Sequence, residues 1–238
     1  MKLIRFLAIV FFDIIDKYFH QVKILNFLKK NKVTIRSFFD IGAHNGTYTD
    51  LIKYNFQVKN IYMFEPQKNV YNYIKKKYKN DKRVKIFNCA VSNTIKDQKL
   101  KINLHDLTTS LTESNKSNSY LEYKAKLFDS TLENMVSEIY SVKSLKLSSI
   151  LKQKSINTID FLKIDTEGHE LQVLKGMGTH IRKVRYLLIE FHIDNIYLNY
   201  NPKKIHSYLI KNNFILKKTL KFPFTTWEDR FYLNRNTK

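Results

Sequence analysis

FFDIGAHNGTYTD, from Phe38 to Asp50, passes from an apolar run through one acid and two glycines into a stretch with helical spacing. The apolar lead-in reads as a short strand. Gly42 allows a sharp backbone turn because no Cβ stands in the way, and Tyr48, Leu51, Ile52 and Phe56 then recur at the interval of one helix face. Thr47 and Asp50 have the spacing of a helix capping box. The stretch therefore predicts strand, turn and helix, the opening of a βαβ unit.

Outward from this point the pattern repeats. SFFDI, NIYMFE, VKIFNCAV, TIDFLKI and VRYLLIEF are short runs rich in Ile, Val, Phe and Tyr, as strands are. Between them Val70, Ile74 and Tyr78, and later Leu171, Leu174, Met177 and Ile181, keep helical spacing. Strands alternating with helices imply an α/β fold: a mostly parallel sheet covered by helices on both faces. KLKINL is an additional strand candidate, and FILKKTLKF followed by TTWEDRFYLNR predicts an antiparallel pair closing the sheet. The polar stretch HDLTTSLTESNKSNSYLEYK has no period, so an insertion is expected at about residues 105–141, with a helical piece around Ser130 to Ile139.

Ligands of such sheets bind beyond the carboxyl ends of the strands. The first run ends in Asp40, Gly42, Ala43, Asn45 and Gly46, where Asp40 can accept hydrogen bonds from a ligand ammonium or hold the loop amides. Three residues separate the two glycines, unlike the G-x-G-x-x-G of dinucleotide sites, which favours a zwitterionic cofactor over a pyrophosphate. The second run ends in Glu65 and Pro66, 25 positions beyond Asp40, where an acid can take both hydroxyls of a ribose. Cys89, Ala90 and Val91 close the third run and can face an adenine ring, or form a buried strand end. IDFLKIDTEGHELQVLKG (Ile159 to Gly176) gathers Lys163, Asp165, Glu167 and His169 at one strand end. So many ionisable groups belong at the rim or around a ligand, because burying them unpaired is costly. Glu190 and His192 end the neighbouring strand, and His192 is a candidate general base or a rim histidine.

The chain of 238 residues, 43% hydrophobic, suits one domain with appendages. Its net charge of +21 raises nucleic acid or anionic lipid as partners. The lysines are spread along the chain among abundant Asn, Ile, Tyr and Phe rather than gathered on one face, which favours compositional bias. A single cysteine, Cys89, excludes an intrachain disulfide and suits a reducing, cytoplasmic location. The N-terminal run LIRFLAIVFFDIIDKYF is broken by Arg5, Asp13 and Asp16 before membrane-spanning length. Residues 1–34 are expected to form a helical segment that packs on or extends the domain at 35–238, or a helix lying on the inner membrane face with Lys17, Lys23, Lys29 and Lys30 behind it.

DIGAHNG, FEP, NCAVS, TSL and KIDTEGHELQVLKG, in this order from about Ser37 to His192, resemble the FkbM family of S-adenosylmethionine-dependent methyltransferases. The resemblance implies a Rossmann-like sheet of seven strands with the last antiparallel. It implies that the turn from Asp40 to Gly46 holds the methionine part of the cofactor, Glu65 the ribose, and Cys89 to Val91 the adenine. It points to O-methylation of a small-molecule or glycan acceptor, with Asp165 near the reacting centre and Glu167 or His192 assisting. Alternatively, the acidic cluster holds a divalent cation that acidifies the hydroxyl. The family's Thr-Leu-Asp helix start is here Lys146-Leu147-Ser148. The rivals are an RNA ribose methyltransferase and a membrane-docked cofactor-binding module without chemistry. Amino-methylating nucleic-acid enzymes typically carry an Asn/Asp-Pro-Pro-aromatic turn where this chain has Ile164-Asp165-Thr166-Glu167-Gly168. Oligomeric state is not legible in the sequence.

Overall fold

The computed structural model describes residues 15, 19–103, 109–119, 121–122, 125, 131, 136–223 and 225–236. Helix α1 (Gln21–Lys30) leads into β1 (Ser37–Ile41), α2 (Thr47–Asn55), β2 (Asn60–Phe64), α3 (Lys68–Lys77), β3 (Val84–Phe87), β4 (Ala90–Val91), β5 (Asp97–Asn103) and β6 (Val136–Leu145). Then follow α4 (Leu147–Gln153), β7 (Ile159–Ile164), α5 (Glu170–Met177), β8 (Val184–His192), α6 (Pro202–Lys211), β9 (Phe214–Lys221) and β10 (Trp227–Asn234).

The main sheet has seven strands in the order β3-β2-β1-β7-β8-β10-β9. β3, β2, β1, β7 and β8 run parallel, while β10 is antiparallel to both of its neighbours. The architecture is the expected α/β one, with the antiparallel closing pair in place.

Alternation along β1 divides the core. Phe39 and Ile41 point to one face with Leu162, Leu187, Phe191 and the buried sides of α4, α5 and α6. Phe38 points to the other with Phe161, Leu188, Phe231 and Ile24, Leu28, Ile52 and Ile74 of α1, α2 and α3. Both faces are thus covered, which is why the parallel strands read as near-continuous apolar runs.

Three local expectations are corrected. VKIFNCAV is not one strand: β3 stops at Phe87, and Ala90–Val91 pair with β6 in a separate three-stranded sheet, β4-β6-β5. The amide of Asn88 turns back to donate to the carbonyls of Glu65 and Pro66, which takes the chain out of the main ladder. The helical piece expected around Ser130 to Ile139 is a strand from Val136 onward, because VSEIYSVKSL pairs antiparallel with DQKLKIN of β5. Residues 130 and 132–135 of that piece lie outside the described residues. No capping box forms at α2: Gly46 is the cap, and Asp50 instead accepts from Tyr78 Oη at 2.8 Å and pairs with Lys77 at 2.6 Å.

Of the N-terminal apolar run, residues 1–14 and 16–18 lie outside the described residues, as do 105–108, 120, 123–124, 126–130 and 132–135 of the expected insertion. Among the described residues no helix is long and apolar enough to cross a membrane.

Candidate active site

The strand order reverses between β1 and β7, and the loops there diverge to leave a crevice at the carboxyl ends. The two strands stay close beneath it: Asp165 N donates to Ile41 O at 3.0 Å. Gly42, at φ +77°, faces the Asp165 carbonyl so closely that a Cβ would overlap it. Glycine is required here on both counts. The resulting cleft spans about 940 Å³ of space between atoms, its open mouth included.

Gly42, Ala43, Glu65, Pro66, Cys89, Ala90 and Val91 all line this cleft. Asn45 and Gly46 lie behind the wall, shaping the start of α2: Asn45 Oδ1 accepts from Thr47 N at 3.3 Å. Asp40 lies below the floor and is fully buried. It accepts from Thr49 Oγ1 at 2.7 Å rather than holding the loop amides. Glu65 accepts from His44 N at 2.9 Å and Gln67 N at 2.8 Å, which fixes its carboxylate while each oxygen keeps a further lone pair for a ligand. Burial outweighs these bonds and pushes its pKa up to about 7. The Cys89 thiol is pushed up to about 12 by burial, as suits a packed residue rather than a nucleophile.

Beneath the cleft runs a line of buried charge. Lys163 is the register partner of Asp40 on the adjacent strand, with its ammonium 3.8 Å from Asp40 Oδ1 and 2.9 Å from Asp165 Oδ2. Burial alone would lower the lysine's pKa, but Asp165 and Asp40 outweigh it and hold the ammonium charged. Burial would likewise raise Asp165, and Lys163 reverses that and keeps the carboxylate ionised. The ammonium also lies 4.5 Å from the centre of the Tyr48 ring. Tyr48 Oη donates to Asp229 at 3.0 Å, and the same carboxylate oxygen meets His20 Nε2 at 2.8 Å. The line therefore runs from β7 to the residue preceding α1.

On the far side of Asp165, Glu167 takes φ +52° and Gly168 φ +91°. This turn aims Glu167 at the cleft wall, where its Oε2 accepts a hydrogen bond from Tyr197 Oη. A Cβ at Gly168 would overlap the Tyr197 ring. Glu170, fully buried, ties the turn down by accepting from Thr166 N at 2.9 Å, Thr166 Oγ1 at 3.0 Å and Gly168 N at 3.1 Å. His192 Nε2 lies 3.6 Å from Glu167 Oε2 and 3.4 Å from Glu190 Oε2. Burial would lower the pKa of His192, yet Glu190, Glu167 and Glu170 push it up to about 10, so in this arrangement the ring keeps its proton at neutral pH. His169, by contrast, is lowered to about 4 by burial and meets Ser92 Oγ at 3.0 Å.

The strand-end acids of the sequence are thus brought together in one connected cluster: Asp165 pairs with Lys163, Glu167 and Glu190 flank His192, and Asp165 and Glu190 act on one another. Tyr48 and Tyr197 were missed as functional candidates. Tyr48 reads as a member of a helix stripe. Tyr197 sits in a loop with no pattern, 30 positions from the carboxylate it orients.

Residues 40–216 match the family model described as the methyltransferase FkbM domain. A 52-residue stretch is 31% identical to the hexuronic acid methyltransferase AglP of Haloferax volcanii, covering 22% of each chain. Among solved structures, the methyltransferase FkbM from Methylobacillus flagellatus aligns at 16% identity and a TM-score of 0.48, over 84% of this chain and 43% of that one. A putative tRNA (m1A22) methyltransferase, Sp1610 of Streptococcus pneumoniae, aligns at 10% identity and a TM-score of 0.51, over 91% and 71%. This last likeness is one of fold. The chain spans well under two thirds of the AglP and M. flagellatus proteins.

Proposed function

The chain belongs to the FkbM methyltransferase family, and from that premise we propose that it transfers the methyl group of S-adenosylmethionine to a hydroxyl of a sugar unit or related small molecule. The observation that carries this reading is the placement of two acids on opposite walls of one cleft. Glu65 ends β2, where ribose hydroxyls would donate to it, and Asp165 ends β7, where an acceptor would meet the methyl group.

The reaction is an in-line displacement. The acceptor oxygen attacks the methyl carbon, the carbon–sulfur bond breaks with its electron pair going to sulfur, and S-adenosylhomocysteine leaves. The sulfonium already activates the methyl group, so the residues align the partners and remove one proton. The turn from Gly42 to His44 receives the methionine part of the cofactor, and Ala90 and Val91 pack on the adenine. Asp165 accepts the hydrogen bond of the attacking hydroxyl and then its proton, with 31% of its side chain exposed for release to solvent. Glu167 and His192 orient the acceptor from the other side.

A glycan acceptor is supported by the local likeness to a hexuronic acid methyltransferase, while Ile164-Asp165-Thr166-Glu167-Gly168 after β7, in place of an Asn/Asp-Pro-Pro-aromatic turn, disfavours methylation of a base nitrogen and leaves ribose open. A ribose hydroxyl of RNA is the second reading, favoured by the +21 charge and by a groove between α5 and α6 lined by Lys175, Lys203, Lys204 and Lys211. Incubation with methyl-labelled cofactor and separated fractions of glycan, lipid and RNA tests the choice. Label in the glycan fraction, stable to mild base, is the expected result. Label confined to RNA would replace the first reading by the second.

A further inference from the structure

The chain carries 21 more basic than acidic residues, yet four carboxylates gather beside the cleft. Glu167, Glu170 and Glu190 act electrostatically on His192, and Asp165 acts on Glu190. Lys163 is committed to Asp165 and Asp40, and Glu170 is committed to the turn at Thr166 and Gly168. The remaining three side chains face one another. One ligand atom each of Glu167, Glu190 and His192 lie within 4.8 Å of one another. Both His192 Nε2 and Glu190 Oε2 are buried without a hydrogen-bond partner, and their side chains are only 6% and 10% exposed.

The distances are those of ion pairs, and they are also close to those of a ligand set. Nε2 stands 3.4 Å from Glu190 Oε2 and 3.6 Å from Glu167 Oε2. Both exceed the usual limit of about 3.2 Å for a hydrogen bond. With metal–ligand bonds of about 2.1 Å, neighbouring donors stand about 3.0 Å apart in an octahedral site and about 3.4 Å apart in a tetrahedral one. Buried polar atoms left unpartnered are costly, and two of them, His192 Nε2 and Glu190 Oε2, converge with Glu167 Oε2 on one point, as a group held between them would explain.

We propose that Glu167, Glu190 and His192 bind a divalent transition-metal ion at the edge of the cofactor cleft. Two carboxylates offset its charge, the ion displaces to solvent the proton that His192 otherwise keeps, and the imidazole favours an ion of the Mn²⁺ or Zn²⁺ kind over Mg²⁺, which prefers an all-oxygen octahedron. Tyr197 Oη on Glu167 and Tyr200 Oη, which accepts from His192 N at 3.2 Å, orient two of the three ligand residues, as outer-shell partners do. The ring edges of Tyr197 and Tyr200 pack on His192 at centroid distances of 4.9 and 5.7 Å and limit its rotation. Asp165 is outside the set, because its carboxylate is held by Lys163. Glu167 is the member on the cleft wall, so an open position of the ion faces the acceptor. The use of the ion rests on the methyl-transfer reading: it would bind the acceptor oxygen and acidify its hydroxyl, whose proton then passes to Asp165.

Mn²⁺ binding is measured by the loss of the free-ion electron paramagnetic resonance signal, and pulsed spectra of the bound ion report a directly coordinated imidazole nitrogen. Wild-type protein is expected to take up one equivalent and to show nitrogen coupling, a readout that needs no variant. Glu190→Gln and His192→Asn should each weaken uptake at least about tenfold. Glu113→Gln, a surface acid paired with Lys101, should leave it unchanged. Binding of S-adenosylmethionine, followed by calorimetry, should persist in all three, which also establishes that they fold. Free Mn²⁺ throughout, bound Mn²⁺ without nitrogen coupling, or equal uptake by the Glu190 and His192 variants would overturn the site. In any of these cases retained cofactor binding would leave the methyl-transfer reading standing.

Discussion

Lys163 and Asp40 are register partners on neighbouring strands and bury opposite charges 3.8 Å apart beneath the cleft. The Asp40 side chain is fully buried, and its Oδ1 makes no hydrogen bond, so the ammonium is its main compensation. Lys163→Met is therefore expected to destabilise the fold by about 3–5 kcal/mol, the cost of leaving one buried charge alone. Asp40→Asn in the same chain should recover part of that loss. Denaturant unfolding of both variants checks the pair, and equal stability of Lys163→Met and wild type would refute it.

Glu65 gives a pH dependence whose sign can be worked out. Its folded pKa of about 7 lies above the ordinary 4.5, so between these values the folded state holds more protons than the unfolded one. Stability from this group is full below about 4.5 and falls as pH rises towards 7. Cofactor binding should show the opposite trend. Ribose hydroxyls donate to the ionised carboxylate, so affinity should climb through about pH 7 and then level. Glu65→Gln should flatten both profiles, in unfolding and in calorimetry respectively.

At Gly42 two constraints act together, a φ of +77° and a carbonyl oxygen where a Cβ would go. Gly42→Ala should cost about 2 kcal/mol or more, because the Asp165 backbone must move to admit the methyl group. Its thermal midpoint should fall and its affinity for S-adenosylmethionine should fall with it. A variant of wild-type stability would mean that β1 and β7 are farther apart than described.

Tyr197→Phe separates orientation from packing. The ring keeps its place over Gly168, and only the hydrogen bond to Glu167 is lost. We expect kcat to fall about tenfold, since one orienting bond of about 1.4 kcal/mol corresponds to that factor. Cofactor affinity should stay within about twofold, because Tyr197 does not line the cleft. A change confined to cofactor binding would contradict the assignment of Glu167 to the acceptor side.

The fold was legible because β1, β2, β7 and β8 are buried on both faces and declare themselves as apolar runs with helical patterns between them. The smaller sheet was not, because the departure of Ala90–Val91 depends on Asn88 bonding to residues more than twenty positions away. The capping box failed for a similar reason: Tyr78 and Lys77 take the carboxylate that Thr47 and Asp50 spacing would reserve for the helix start. At the site, acids at strand ends were visible one strand at a time. Their partners, Lys163 for Asp165 and His192 for Glu167 and Glu190, are set by strand register and loop packing, which the sequence does not display. Tyr48 and Tyr197 reach the site through tertiary packing, so nothing local marked them.

Calorimetric titration of purified protein with S-adenosylmethionine tests the central claim most directly. One site per chain, lost or much weakened in Glu65→Ala and kept in Glu113→Gln, is the predicted result. No measurable binding by folded wild-type protein, or binding unaltered by Glu65→Ala, would contradict the placement of a methyl donor in the cleft between β1 and β7.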